Sequence, residues 1–356
     1  MTMNCGFRLL SVLAFVLTIR CEKYEVKKVK DICTDYGYIP EPTVVPYEPF
    51  SPSQDAFLLR NATKDSGTDE MAIIKLVTKR SNAQRQVIMK RYFDDYNRDL
   101  ILDLKSELSS ELRSIIVNLM YPPLGFLCLE LNRALNTLPL IKDTNTITEI
   151  VITKNSTELI ELNKMYMKMF NRVLVNEVGS LRSSSSHYKN FVTSILTGFR
   201  QPENATDPAQ AKQQASLLYV AGEGRRGTEE SLINKVMGHE SYEQLKLVFR
   251  EYKNQFGRTV EQSFRKELSG DLLRIHLAIV DFIHNPIAYY TKQLYRSMRG
   301  PGTDDATLMR ILISRSEIDL ENIKREFERR YERTLKSAIE ADTYGYYKDA
   351  LLSILG

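Results

Sequence analysis

Three times in this chain a glycine-threonine pair is followed by two acids: Gly67-Thr68-Asp69-Glu70, Gly227-Thr228-Glu229-Glu230 and Gly302-Thr303-Asp304-Asp305. Each time one further carboxylate stands forty residues past the glycine, at Glu107, Glu267 and Asp342. A motif that recurs with a distant partner in register marks an internal repeat with a chemical task. Such a chain folds as a series of similar modules.

The last two copies lie 75 residues apart, which sets the period, and the first two lie 160 apart, which leaves room for one more unit with extra residues. A silent copy is expected around Ala134 to Leu159, where Thr148-Glu149-Ile150-Val151 leads into Asn155-Ser156-Thr157-Glu158-Leu159 as one helix followed by a capped helix. The resulting plan is an amino-terminal region over 1–46 and repeats over 47–121, 122–200, 201–284 (with a linker) and 285–356.

The units read as helical. Leu112, Ile115, Ile116, Leu119 and Met120, and again Tyr347, Ala350, Leu351, Ile354 and Leu355, recur with the spacing of one helix face. No stretch alternates long enough for a sheet, and Asn-Gly or Asp-Gly hairpin turns are missing. The fold class is all-α. Within each tetrapeptide the glycine permits a positive φ, the threonine is expected to cap the next helix, and the acids suit its positive end.

With 356 residues, 43% hydrophobic, the chain can bury full cores in four small modules. A formal net charge of +4 and no basic run interleaved with aromatics do not call for a nucleic-acid footprint, while attraction to an anionic membrane surface is compatible with them. Leu9 to Ile19, within a signal-like segment over 7–20, is too short to span a bilayer. It reads either as the core of a secretory signal with a poor cleavage site or as an apolar tail. Ile39 to Pro52 holds five prolines and reads as an extended linker, as does Arg200 to Ala211. Ser183 to Ser186 reads as a flexible surface insertion. Cys5, Cys21, Cys33 and Cys128 are too few and too scattered for a disulfide framework.

The repeated loops suit a hard cation. Calcium takes six to eight oxygens and accepts backbone carbonyls as readily as carboxylates. In Met298-Arg299-Gly300-Pro301-Gly302-Thr303 the glycines let successive carbonyls turn to one point, and Asp342 from a later helix closes the shell from the side. Positions stay open for water or a phosphate oxygen, which couples metal and anionic lipid. An enzyme is not expected: His187, His239, His276 and His284 pair with no nucleophile, and no Gly-x-Ser-x-Gly elbow or phosphate-cradling loop occurs. His276 and His284 read as core histidines.

These features resemble the annexin family, whose repeat carries a Met-Lys-Gly-x-Gly-Thr-Asp-Glu loop and a downstream acid. Thr63-Lys64-Asp65-Ser66-Gly67-Thr68-Asp69-Glu70 with Glu107 is similar, and the resemblance runs from about Tyr47 to Gly356. It implies four repeats of about five helices each, forming a curved disc with Ca2+ loops on one face. It also implies calcium ligands by position. In repeat four these are the carbonyls of Met298, Gly300 and Gly302 with Asp342. In repeat three, whose loop is one residue longer, they are the carbonyls of Gly222, Arg225 and Gly227 with Glu267, and Arg226 stands near headgroups. In repeat one they are the carbonyls of Thr63, Asp65 and Gly67 with Glu107. Glu70, Glu230 and Asp305 read first as complements of helix dipoles. Repeat two, with no glycine over 136–142 and no acid from Val178 to Pro202, is expected to be metal-silent. The implied partner is an acidic phospholipid surface, with a protein partner for the amino-terminal region. The implied location is the cytoplasm and the plasma-membrane periphery. A secreted or cell-surface adaptor that uses calcium to stiffen its fold is the alternative, on the strength of Leu9 to Ile19.

Overall fold

A helix begins where a side chain can accept one of its unpaired first amides, and this chain supplies such groups at regular intervals. The structure is a computed structural model that describes residues 38–64, 67–136, 143–182, 184–203 and 205–356. Among these there are twenty α-helices and no strand, as the all-α reading requires.

The first five are α1 (Pro52–Ala62), α2 (Glu70–Val77), α3 (Asn82–Tyr96), α4 (Leu100–Glu107) and α5 (Ser110–Met120). Next come α6 (Pro123–Asn136), α7 (Thr144–Ile152), α8 (Ser156–Phe170), α9 (Leu174–Gly179) and α10 (Ser186–Leu196). A third set is α11 (Pro208–Ala221), α12 (Glu230–His239), α13 (Tyr242–Phe256), α14 (Val260–Glu267) and α15 (Gly270–His284). The last is α16 (Pro286–Ser297), α17 (Asp305–Arg315), α18 (Leu320–Tyr331), α19 (Leu335–Asp342) and α20 (Gly345–Leu355).

The third helix of every set ends the same way. Its C-cap is left-handed: Asn97 (φ 50°), Asn171 (φ 53°), Gly257 (φ 69°) and Glu332 (φ 54°). That conformation closes the helix and turns the chain into the fourth helix, which starts three residues later. The second set keeps this mark, and Asn155 with Glu158 forms a capping box at the start of α8.

Two compact units result, one from the chain up to Phe126 together with Tyr290–Gly356, the other Leu127–Tyr289. In the first, α20 packs on α2 and α5, and α17 packs on α5. Ile73, Ile74, Ile115, Ile116, Ile311, Leu351 and Ile354 are all at most 1% exposed. Each such side chain contributes about 1.5–3 kcal/mol through burial, so the repeats of this unit hold together by apolar packing. Asp55 and Arg80 are buried together as a two-pronged ion pair at 2.6 and 2.8 Å, with the ring of Tyr47 over the guanidinium. In the second unit α7 packs on α15, α10 on α12, and α11 on α13.

Several expectations are corrected. The proline-rich stretch is extended, yet it is docked. The amides of Thr43 and Val44 both donate to the Ser316 carbonyl at 2.8 and 3.0 Å, Thr43 Oγ1 donates to the Ile354 carbonyl at 2.8 Å, and Tyr38 donates to Asp319 at 2.8 Å. The linker after Arg200 is shorter than expected, because Asp207 caps α11 and Pro208 suits its first turn. Ser184 to Ser186 are ordinary helix-start residues: Ser185 accepts the Tyr188 amide, and Ser184 donates to Asp271 at 3.1 Å. His276 is fully buried as expected, whereas the side chain of His284 is 58% exposed, facing Glu261. Cys128 is a buried thiol pushed up to about 12 by burial. No helix of the described residues is long and apolar enough to cross a membrane. The segment 1–37 with Cys5, Cys21, Cys33 and Leu9 to Ile19, the loop 137–142, and Asp65, Ser183 and Asn204 lie outside the described residues.

Candidate metal centres

Each candidate loop joins the first helix of a set to the second, and one backbone bond closes it. The amide of Asp69 donates to the Ala62 carbonyl (3.0 Å), that of Glu229 to Ala221 (2.7 Å) and that of Asp304 to Ser297 (2.8 Å). Asp143 does the same to Ala134 (3.3 Å), so the second repeat retains the closure around its altered loop. The third loop spans one residue more than the first and fourth, as its sequence indicated.

The distant acids meet their own loops. Thr68 Oγ1 donates to Glu107 Oε2 at 3.0 Å, Thr228 Oγ1 to Glu267 Oε2 at 2.7 Å, and Thr303 Oγ1 to Asp342 Oδ2 at 2.6 Å. The hydroxyls of Thr228 and Thr303 also reach the backbone carbonyls of Glu267 and Asp342, at 3.2 and 3.1 Å. This corrects the capping expectation. The first acid takes the N-cap instead: Asp69 accepts the Ala72 amide, Asp304 the Thr307 amide, and Asp143 the Thr146 amide. Threonine is thereby released to hold the carboxylate that arrives from the fourth helix.

In the fourth loop Gly300 (φ 122°) and Gly302 (φ 85°) use conformations that other residues rarely adopt, and a Cβ at either would meet only open space. Met298 is half-buried and Pro301 exposed, so this loop presents its backbone outward beside Asp342. In the third loop Gly227 (φ 83°) is similar, while Gly222 lies against the acid itself. A Cβ there would come within 2.9 Å of Glu267 Cγ. One lone pair of the Gly222 carbonyl accepts the Arg225 amide at 3.2 Å, and Arg225 reaches Glu229 at 2.5 Å. The buried Glu223 pairs with Arg258 at 2.8 Å and Lys266 at 3.4 Å, bracing the loop from beneath. Arg226 is exposed. In the first loop Thr63 is buried, and its hydroxyl bonds back to Leu59 and Arg60. Gly67 has open space around it and Glu107 is exposed.

No cluster of three or more His, Cys, Asp or Glu side chains that could hold a metal occurs among the described residues. A single carboxylate beside exposed loop backbone, as at Asp342 with Gly300 and Gly302, is a donor set that suits a hard cation such as calcium and does not suit zinc. Near the fourth loop, burial, with Glu111, Asp304 and Asp342 adding repulsion, holds the Asp305 carboxyl above its usual range. Glu70, Glu230 and Asp305 all occupy first turns of their helices, where the dipole favours them.

Similarity to known proteins agrees with this geometry. The sequence model described as Annexin matches residues 54–119, 213–279 and 289–354. Annexin B10 of Drosophila melanogaster is 44% identical over 321 residues, covering 90% of this chain and 99% of that protein. Annexin A3 of Mus musculus is 37% identical, covering 89% and 97%. Among solved structures, annexin III superposes with a TM-score of 0.85 at 37% identity, covering 89% of this chain and 97% of that one. A calcium-bound annexin (Sm)1 gives a TM-score of 0.78 at 28% identity, covering 90% and 94%. With the family model spanning three of its helical sets and relatives aligned over almost their whole length, this chain belongs to the annexin family.

Proposed function

We propose that this protein binds acidic phospholipid membranes peripherally in a calcium-dependent manner, as a scaffold without turnover. The ion is held by the Met298, Gly300 and Gly302 carbonyls with Asp342, by those of Gly222, Arg225 and Gly227 with Glu267, and by those of Thr63, Asp65 and Gly67 with Glu107. The observation that carries this reading is the hydrogen bond from each loop threonine to the acid of its own repeat. It brings one carboxylate of each repeat to the threonine of its own loop, which supports a site whose remaining coordination comes from other oxygens. A bound calcium ion would supply positive charge that a lipid phosphate can share, so metal and lipid each raise the other's affinity. Each site alone is weak, and several engaging one surface make attachment steep in calcium. The second repeat contributes packing, not metal.

Co-sedimentation with phosphatidylserine vesicles across a calcium titration tests this. The native chain is expected to pellet with calcium and to be released by chelator, and the triple variant Glu107→Gln, Glu267→Gln, Asp342→Asn to stay in solution. Equal pelleting of both would overturn the assignment. Phospholipid turnover that survives in the triple variant would place the protein in a different functional class.

A further inference from the structure

Among the described residues, Tyr344 is the most exposed large apolar side chain, at 86%. It stands two residues past Asp342, at the position that precedes the fifth helix of its repeat. The corresponding residues of repeats one and three are Ser109 and Ser269. In all three the next residue is left-handed: Ser110 (φ 48°), Gly270 (φ 57°) and Gly345 (φ 60°). The backbone of this turn is thus shared while its side chain differs. None of the three makes a side-chain cap bond, and the tyrosine ring remains in water. Folding gains nothing evident from it.

Tyr346, 45% exposed, repeats the substitution two residues on, where repeats one and three carry Glu111 and Asp271. Where those repeats carry a serine and an acid, the fourth carries two aromatic rings. The turn is also fixed in place. Thr303 of the loop bonds both the side chain and the carbonyl of Asp342, at 2.6 and 3.1 Å. Arg299, within the same loop, is exposed, with its guanidinium 5.8 Å from the ring centre of Tyr295.

We propose that Tyr344, with Tyr346 beside it, is a membrane-interface anchor specific to the fourth repeat, which enters the headgroup boundary of an acidic phospholipid bilayer as the adjacent loop engages. The inference rests on the function proposed above. A phenol ring suits this layer because its body is apolar and its hydroxyl stays wet. A tyrosine at position 346 brings no negative charge of its own to an anionic surface. The chain contains no tryptophan, so no indole competes for this role.

That absence also provides the test. Tyr344→Trp creates a single indole reporter, examined with phosphatidylserine vesicles whose acyl chains are brominated. Calcium is expected to shift its emission to the blue and quench it, and chelator to reverse both. In parallel, Tyr344→Ser is expected to raise the calcium needed for half-maximal pelleting about fivefold, while calcium binding without lipid stays unchanged. If the Tyr344→Trp chain pellets with calcium but its emission neither shifts nor quenches, the anchor is overturned and the proposed function stands. If the native chain does not pellet at all, both fall.

Discussion

Thr303 Oγ1 donates to Asp342 Oδ2 at 2.6 Å across a sequence separation of 39 residues, joining a loop to the end of a helix that the chain reaches much later. A hydrogen bond to a carboxylate is stronger than a neutral one, and this one also fixes the acid's rotamer before any ion arrives. Replacing Thr303 with Val keeps the shape and removes the donor. The fourth loop is expected to lose about 1 kcal/mol of calcium binding, roughly five- to tenfold in affinity, measured by titration calorimetry. Thr303→Ser should retain most of it.

The three acids are not equally held. Asp342 and Glu267 are half-buried with threonine bonds of 2.6 and 2.7 Å, whereas Glu107 is exposed with one of 3.0 Å. Single substitutions should follow that order. Asp342→Asn is expected to raise the calcium needed for vesicle pelleting the most and Glu107→Gln the least.

Gly222 has a negative φ of −118°, outside the left-handed region. The methyl group of an alanine there would nevertheless stand 2.9 Å from Glu267 Cγ, too close to be accommodated without moving the acid. Gly222→Ala is expected to weaken calcium binding by the third loop about tenfold while shifting stability by about 1 kcal/mol or less. Calorimetry combined with chemical denaturation in chelator separates the two effects.

His276 supplies a pH dependence. It is fully buried, stacked at 4.5 Å on Phe191, and its Nδ1 donates to the Leu272 carbonyl at 2.8 Å, while Nε2 has no hydrogen-bond partner among the described residues. Burial pushes its pKa down to about 4. Because the unfolded chain takes up the proton first, stability is present above the ordinary value near 6.5 and is lost as pH falls toward 4, by about 3 kcal/mol from this residue. Urea midpoints compared at pH 7.5 and 4.5 should show a smaller drop for His276→Phe than for the native chain.

Much of this was legible in the sequence, for identifiable reasons. The forty-residue interval between Gly302 and Asp342 survives folding because α17, α18 and α19 return the chain to its starting loop. Capping signals such as Asn155 with Glu158 depend only on neighbouring residues, and that capping box forms at the start of α8. The role of Thr228 was not legible: a threonine before two acids is locally a good cap, and only the returning helix offers its hydroxyl a better partner. Ser185 misled in the opposite sense, since a serine run looks flexible until its cap to Tyr188 is seen. One signal was present and unused. Arg98, Arg172, Arg258 and Arg333 each follow a left-handed residue, and three of them pair with an acid: Asp103, Glu177 and Glu223. That mark recurs in all four repeats, including the one that lost its loop motif.

The docked stretch from Tyr38 to Tyr47 has a mechanical meaning. With Thr43 and Val44 bonded to Ser316, Thr43 bonded to Ile354, and Tyr47 exchanging two hydrogen bonds with Gln84, tension entering the chain at Tyr38 is shared among helices near both ends of the sequence. Anything attached ahead of Tyr38 would pull on a riveted seam in place of a slack leash, and force applied there would be felt by the same unit that carries the first and fourth loops.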